Sequence, residues 1–206
     1  MFDKLFDGED DGRFHIRLNM LGPYSVVIDG QEIYEQDLTC PNHRAWIALL
    51  YLVLHRQPVD QMHMVEEAWP NEPEKISCNT LRQAVFRVHK DLSVYNNVKV
   101  FELDDGMIRL SDNVRVTTDA NEMEELFNKT KNMPDGDEKL EMLKTASLLY
   151  RGRLFIQGEA DAENWLMPYT AHYNQVFVDI TTELLKIFGC RRYSRGTEPA
   201  DRSGIY

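Results

Sequence analysis

Apolar and polar positions along the chain fall into strands, then helices, then a hairpin, then helices again. From Phe14, FHIRLNML alternates apolar with polar side chains, Gly22-Pro23 turns the chain into YSVVIDG, and Asp29-Gly30 leads into QEIY. Period-two alternation punctuated by such turns predicts a small antiparallel sheet. Pro41-Asn42 then opens HRAWIALLYLVLHRQ, in which Ala45, Ile47, Leu49, Leu50, Leu52 and Val53 face nearly all round. A helix apolar on most sides belongs at the centre of a core. Pro58 ends it, and Asp60 caps QMHMVEEAWP, where Met62, Val65 and Trp69 share a stripe before Pro70 stops the helix. NEPEKIS follows as a polar, acidic loop.

The next segment, NTLRQAVFRVHKDL (79–92), carries the most information. Leu81, Val85, Val88 and Leu92 recur at spacings of four, three and four, the stripe of an amphipathic helix. Its opposite side holds Asn79, Gln83, Phe86 and Lys90, flanked by Arg82 and Arg87. One face needs a core; the other offers amides and cations. After it, NNVKVFELDDGMIRLSDN reads as strand, Asp105-Gly106 turn and strand, with Val98 and Val100 alternating with Lys99 and Phe101, and Ile108 and Leu110 with Arg109. A helix so placed, with a shorter helix before it and a hairpin behind, is the recognition helix of a winged helix-turn-helix.

Beyond Thr117-Thr118-Asp119 the pattern becomes helical. Asp119 caps a helix through Leu126 and Phe127 with Glu122, Glu124 and Glu125 in its first turn, where the helix dipole favours acids. Met133-Pro134-Asp135-Gly136 breaks it, DEKLEMLKTASLLY forms the next, and RGRLFIQGEADAENW is a connecting loop. A last helix runs from Trp165 or Met167 to Phe188, with Tyr169, Val176, Phe177, Ile180, Leu184 and Leu185. Paired amphipathic helices of this length read as a helical-repeat module with too few helices to close a solenoid. The predicted class is therefore an α+β winged helix-turn-helix over 14–113 followed by an all-α domain over 114–189. An acidic flexible lead-in (1–13) precedes them, and a disordered or non-native tail (190–206) follows.

Composition narrows the setting. No apolar run reaches the roughly 20 residues of a membrane span, the acidic start lacks the order of a signal peptide, and Cys40, Cys78 and Cys190 are odd in number and far apart. A cytoplasmic protein without a membrane partner fits. Net charge is −11 over 206 residues, whereas nucleic-acid binding draws on a basic field. Within 14–113 there are nine basic and fourteen acidic residues, yet three of the nine, Arg82, Arg87 and Lys90, lie in 79–92 beside His89, and Lys99 and Arg109 lie on the hairpin. Read alone, the helix cations are a solvated face, His89 is a surface histidine, and Lys99 and Arg109 divide between nucleic-acid contact and ordinary strand charge. Trp69, Trp165 and Phe177 read as core. No phosphate-binding glycine loop, nucleophile elbow or metal spacing occurs, and adjacent Glu66 and Glu67 point apart on a helix. Neither catalysis nor a cofactor or metal is expected.

Several stretches, taken in order, carry a resemblance: LGPYSVVIDGQEI, HRAWIALLYLVLHRQPV, MVEEAWPNEP, NTLRQAVFRVHKDL, VTTDANEMEELF, LLYRGRLF and NWLMPYTAHYNQVFVDITTELL. Together they resemble the Streptomyces antibiotic regulatory protein family of transcriptional activators over roughly 14–188, with a winged helix of the OmpR type and the start of a bacterial transcriptional activation domain, a tetratricopeptide-like helical region that is incomplete here. The resemblance implies double-stranded promoter DNA as partner, bound at direct repeats by a homodimer of side-by-side protomers. It also implies RNA polymerase contact through the NEPEKIS loop. Phosphate anchoring then falls to the Arg and Lys side chains, with groove readout by Asn79, Gln83, Phe86 and Arg87; His89, Lys99 and Arg109 complete the DNA-binding set. Phe86 replaces the family's usual small polar residue, and His89 its usual Arg. The rival reading keeps the fold as a protein-interaction module without DNA, with Phe86 as anchor.

Overall fold

A computed structural model describes residues 12–34, 43–70, 74–92, 97–154 and 162–196. Its elements run β1 (Phe14–Asn19), β2 (Ser25–Ile28), β3 (Gln31–Tyr34), α1 (His43–His55), β4 (Val59–Asp60), α2 (Gln61–Ala68) and α3 (Glu74–Leu92), followed by β5 (Phe101–Asp104), β6 (Met107–Leu110), β7 (Val114–Thr118), α4 (Asp119–Thr130), α5 (Asp137–Leu149) and α6 (Ala162–Gly196). The class is mixed α/β. Phe14, Ile16 and Leu18 point from β1 into the core, as the alternation requires. Both Asp-Gly pairs close hairpins, with Asp29, Gly30, Asp105 and Gly106 all at positive φ, the conformation a two-residue loop of this type needs. Asp60 caps α2 by accepting from the Met62 and His63 amides.

A four-stranded sheet has the order β3-β2-β1-β7, and a three-stranded one the order β4-β6-β5. β7 runs parallel to β1, pairing Phe14 with Val114 and Leu18 with Thr118. Residues 114–118, which sequence reasoning groups with the helical half, thus complete the front sheet. Parallel pairing across some hundred residues leaves no local signal. α1 lies in the middle, with Ile47 to Leu50 and Tyr51 all fully buried, and α3 packs on both α1 and α2. One apolar cluster continues from β1 through α1 into Leu143 and Ile180 of the helical half.

Several sequence-based boundaries move. α3 begins at Glu74, so the second half of the NEPEKIS loop is helix. Asn71 to Pro73 fall outside the described residues. β5 begins at Phe101, and Val100 and Phe101 are both buried, so the simple alternation from Val98 does not hold. α6 passes through Pro168 and continues to Gly196, taking in backbone assigned to a tail; Gly189 does not stop it, since a glycine costs a helix only about 1 kcal/mol. The acidic lead-in up to Asp11 and the residues beyond Gly196 lie outside the described ones. Among the described residues, no helix is long and apolar enough to cross a membrane.

The two halves are joined by a buried carboxylate. Thr118, not Asp119, caps α4, its hydroxyl accepting from the Asn121 amide. Asp119, 2% exposed, instead accepts from the Met20 and Leu21 amides, with Arg151 facing its second oxygen at 3.6 Å. Glu122, in the first turn as the sequence predicts, is buried against Arg17. Close by, the Arg151 amide donates to the Leu21 carbonyl, and Leu21 bridges Leu154. Gly22 sits at φ 111° there, and a Cβ on it would lie 2.9 Å from the Arg151 Cβ. The LGP and YRGRL motifs are thus two sides of one clasp.

Burial pushes the Asp119 and Glu122 carboxyls up; the Met20 and Leu21 amides and Arg151 act against it at the first, Arg17 at the second. A carboxyl raised in this way holds its proton more tightly folded than unfolded. Its contribution to stability is complete below the unfolded pKa and is lost as pH rises through the folded one. Glu122→Gln, which does not titrate, should therefore gain on the wild type as pH rises above about 4 in urea unfolding; a gap independent of pH would contradict this. Asp119→Ala leaves two buried amides unpaired and should cost about 3 kcal/mol, read from the same unfolding midpoints.

Candidate nucleic-acid interface

α3 divides as its sequence period dictates. Leu81, Ala84, Val85, Val88 and Leu92 are buried, and they seat the helix on α1 and α2. The 3.6-residue period then turns Asn79, Arg82, Gln83, Phe86 and Lys90 outward, with Arg87 half-buried between the faces. Phe86 is 67% exposed, so it is no core residue that slipped outward. Among the described residues, Arg82 and Arg87 have no hydrogen bond or ion pair within the chain.

His89 belongs to a different task from the one sequence reasoning gave it. Its Nε2 accepts the Phe101 amide at 3.0 Å, and its ring lies 5.8 Å from that of Phe101. Burial, then the Lys99 charge, pushes its pKa down. A neutral imidazole is what the acceptor role requires. His89 thus fastens α3 to the hairpin and leaves the DNA-facing set.

The hairpin is held from beneath: Val59 pairs with Ile108 and the Gln61 amide donates to the Gly106 carbonyl. Its cations differ from each other. Arg109 bridges Glu102 and Asp112, the latter at 2.9 Å, and these carboxylates hold its proton more firmly than usual, the Asp112 hydrogen bond first. A guanidinium flanked by two carboxylates has little left for a phosphate, so Arg109 too leaves the candidate set. Lys99 is exposed and has no ion pair among the described residues. Asp104 and Asp105 stand exposed at the hairpin tip, which makes that tip repulsive to phosphate. Between α3 and β5 runs a groove of about 420 Å³ lined by Val85, Phe86, His89, Phe101 and Leu103, with Arg82, Lys99 and Glu102 as its charged members.

A second cluster escaped sequence reasoning. Glu67 accepts from the Tyr51 hydroxyl at 2.5 Å and lies 3.9 Å from His55 and 3.7 Å from His63. The Tyr51 ring stacks on His55 and meets Trp165 edge-on. His63 and Glu67 stand at i and i+4, the one signal that could have paired them; the approach of α1 has none. Among the described residues, no group of three or more His, Cys, Asp or Glu is placed to hold a metal.

The histidine tie gives a testable pH dependence. Because the His89 pKa is depressed in the folded chain, the stability it lends is present above about pH 6.5 and is lost as pH falls through the folded value. The protection factor of the Phe101 amide in hydrogen exchange, corrected for intrinsic rate, should fall on acidification. In His89→Phe it should be low and flat across the same range; a titrating profile in that variant would assign the effect elsewhere.

No family model matches the sequence, and no curated protein matches it. Among solved structures, EmbR of Mycobacterium tuberculosis, in complex with a low-affinity phosphopeptide, overlays with a TM-score of 0.61 at 18% identity. The overlay covers 87% of this chain and 47% of that one, so the chain spans about half the length of the structure it matches. At that identity the likeness is one of fold: from the front sheet to the helical half, this chain is folded as the corresponding part of EmbR is.

Proposed function

We propose that this chain is a cytoplasmic, non-enzymatic transcriptional regulator that binds promoter DNA through α3. The observation that carries this reading is the division of α3 into a buried apolar stripe and an outward face of Asn79, Arg82, Gln83, Phe86 and Lys90. The order of the elements, with three helices followed by a hairpin, fits a winged helix. The resemblance to the Streptomyces antibiotic regulatory proteins and the fold likeness to EmbR support it.

In this reading α3 lies in the major groove. Arg82, Arg87 and Lys90 neutralise phosphates, and Asn79 and Gln83 meet base edges, where an amide pairs with adenine in two hydrogen bonds. Phe86 packs on a thymine methyl group. Lys99 adds a backbone contact from the foot of the hairpin, while His89 and Arg109 serve the protein itself. Two protomers side by side on direct repeats, RNA polymerase beside the α2–α3 connection and an activating role follow from the same resemblance. A protein-interaction module is the second reading; it is favoured by the 67% exposure of Phe86 beside an apolar groove and by the acids at the hairpin tip.

Fluorescence anisotropy with a labelled fragment of the promoter nearest the chain's own gene separates the two. Binding should weaken steeply with salt, and Arg82→Ala, Arg87→Ala or Lys90→Ala should each lower the slope of log K against log salt by about 1. Arg109→Ala, already neutralised by its neighbours, should leave that slope unchanged. No binding by folded wild type at low salt would leave the interaction module standing.

A further inference from the structure

The groove between α3 and β5 runs along the edge of a sheet. β5 ends the order β4-β6-β5, and its consecutive residues Phe101, Glu102 and Leu103 all line the groove. Successive side chains of a strand point to opposite faces, so a groove that touches three in a row follows the strand's edge. An edge strand presents unpaired backbone groups, and the register says which. Gln61 donates to the Gly106 carbonyl, and in the same β4–β6 ladder Val59 faces Ile108. Bonded and non-bonded pairs alternate along antiparallel strands, so Ile108 directs its amide and carbonyl at β4. Leu103, which faces Ile108 from the other side, therefore turns its own outward. The Phe101 amide agrees, since it leaves the sheet to reach His89. The Leu103 amide and carbonyl and the Phe101 carbonyl thus have no partner among the described residues.

The walls of the groove fix the kind of chain that fits. Val85, Phe86, Phe101 and Leu103 make it apolar, and Phe86 and Leu103 are 67% and 39% exposed. Glu102 is taken up by Arg109 and by the Ser111 hydroxyl. Arg82 and Lys99 are therefore the charges it presents, neither with an ion pair among the described residues. His89 meets Phe101 and feels the Lys99 charge, so Lys99 flanks that end of the groove. Arg82, about two helical turns before His89, flanks the other; two turns rise about 11 Å, the length of about three strand residues. A second copy of this chain is a poor occupant. Antiparallel pairing of two β5 edges about Leu103 sets Glu102 against Asp104 twice, and like charges directly opposite are destabilising.

We infer that this groove takes an extended, acidic peptide of a partner protein, which adds to β5 as an antiparallel strand. One peptide residue pairs with the Leu103 amide and carbonyl and sets an apolar side chain against Phe86. Its neighbours, opposite Glu102 and Asp104, are uncharged, and carboxylates two residues to either side meet Lys99 and Arg82. In such additions main-chain bonds supply affinity and alternate side chains selectivity. The inference deepens the interaction reading and does not rest on DNA binding. A docked peptide covers Phe86 and Arg82, so it excludes whatever else the outward face of α3 binds.

Amide NMR of the full chain, with the capped peptide Glu-Val-Phe-Val-Glu as probe, tests the docking. The probe should shift the amides of Arg82, Phe86 and Phe101 to Leu103 and slow hydrogen exchange at Leu103. N-methylation of its Phe, whose amide faces β5, should abolish these shifts; N-methylation of both Val, whose amides face away, should leave them. Phe86→Ser and Arg82→Ala/Lys99→Ala change exposed side chains, so both variants should keep their amide dispersion. Each should weaken binding several-fold, the second most at low salt, and Lys in place of both Glu of the probe should weaken it likewise. No shift at Leu103 with millimolar probe overturns the inference, as does equal binding by the two methylated peptides. Anisotropy keeps the DNA reading separate. A probe that shifts Leu103 in a chain that binds no promoter fragment supports the docking and removes the DNA reading. Promoter binding without a shift at Leu103 does the reverse. Where both bind, saturating probe should release the DNA; DNA that stays bound places the probe away from Phe86 and overturns the groove as its site.

Discussion

The arrangement of this chain depends on one carboxylate. Asp119 is the first residue of α4 and the point where the sheet hands over to the helices. Its side chain turns away from its own helix to accept from Met20 and Leu21 at the β1–β2 corner, and Arg151, from the α5–α6 connection, closes on it. Three segments remote in sequence meet there. A carboxyl group at such depth is tolerated only where amides and cations replace its water, and every one of those partners is itself fixed by the fold. The glycine at position 22 belongs to the same junction, since any larger residue would meet Arg151.

From this junction the order of the α3 face follows. α1 is buried along its length from Ile47 to Val53 and packs against α3, while its end meets α6 through Tyr51, His55, Trp165 and Tyr169. The helical half therefore buttresses the helix on which α3 rests. His89 adds the link to the hairpin, so α3, β5 and β6 present one surface rather than three independent pieces. A face held in this way loses little conformational entropy when a ligand covers it.

What the sequence made legible was the local chemistry. The stripe of Leu81, Val85, Val88 and Leu92, the two Asp-Gly turns and the Asp60 cap each depend on residues within four positions of one another, and each is found in the structure. The side chains to which the fold gives another role have partners beyond that range. Thr118 and Asp119 are both good caps, and what decides between them is the β1–β2 corner about a hundred residues earlier. His89 looks like a surface residue until Phe101 is placed beneath it, and Arg109 looks like a free cation until Glu102 lies across the hairpin. The outward position of the α3 residues was thus readable from sequence, but which cations keep their charge available was not.

That last distinction bears on how so acidic a chain can present a basic face. Surface potential depends on which charges remain unpaired near a given point, because at physiological ionic strength the rest is screened beyond about 8 Å. Acids that pair with Arg17, Arg109, Lys139 and Lys186 contribute to the net charge of −11 but leave little field on α3. Arg82, Arg87 and Lys99 keep theirs. Asp104 and Asp105, exposed at the hairpin tip, are then the acids that act against this face. If the face binds DNA, as proposed, their effect is to weaken that association rather than forbid it.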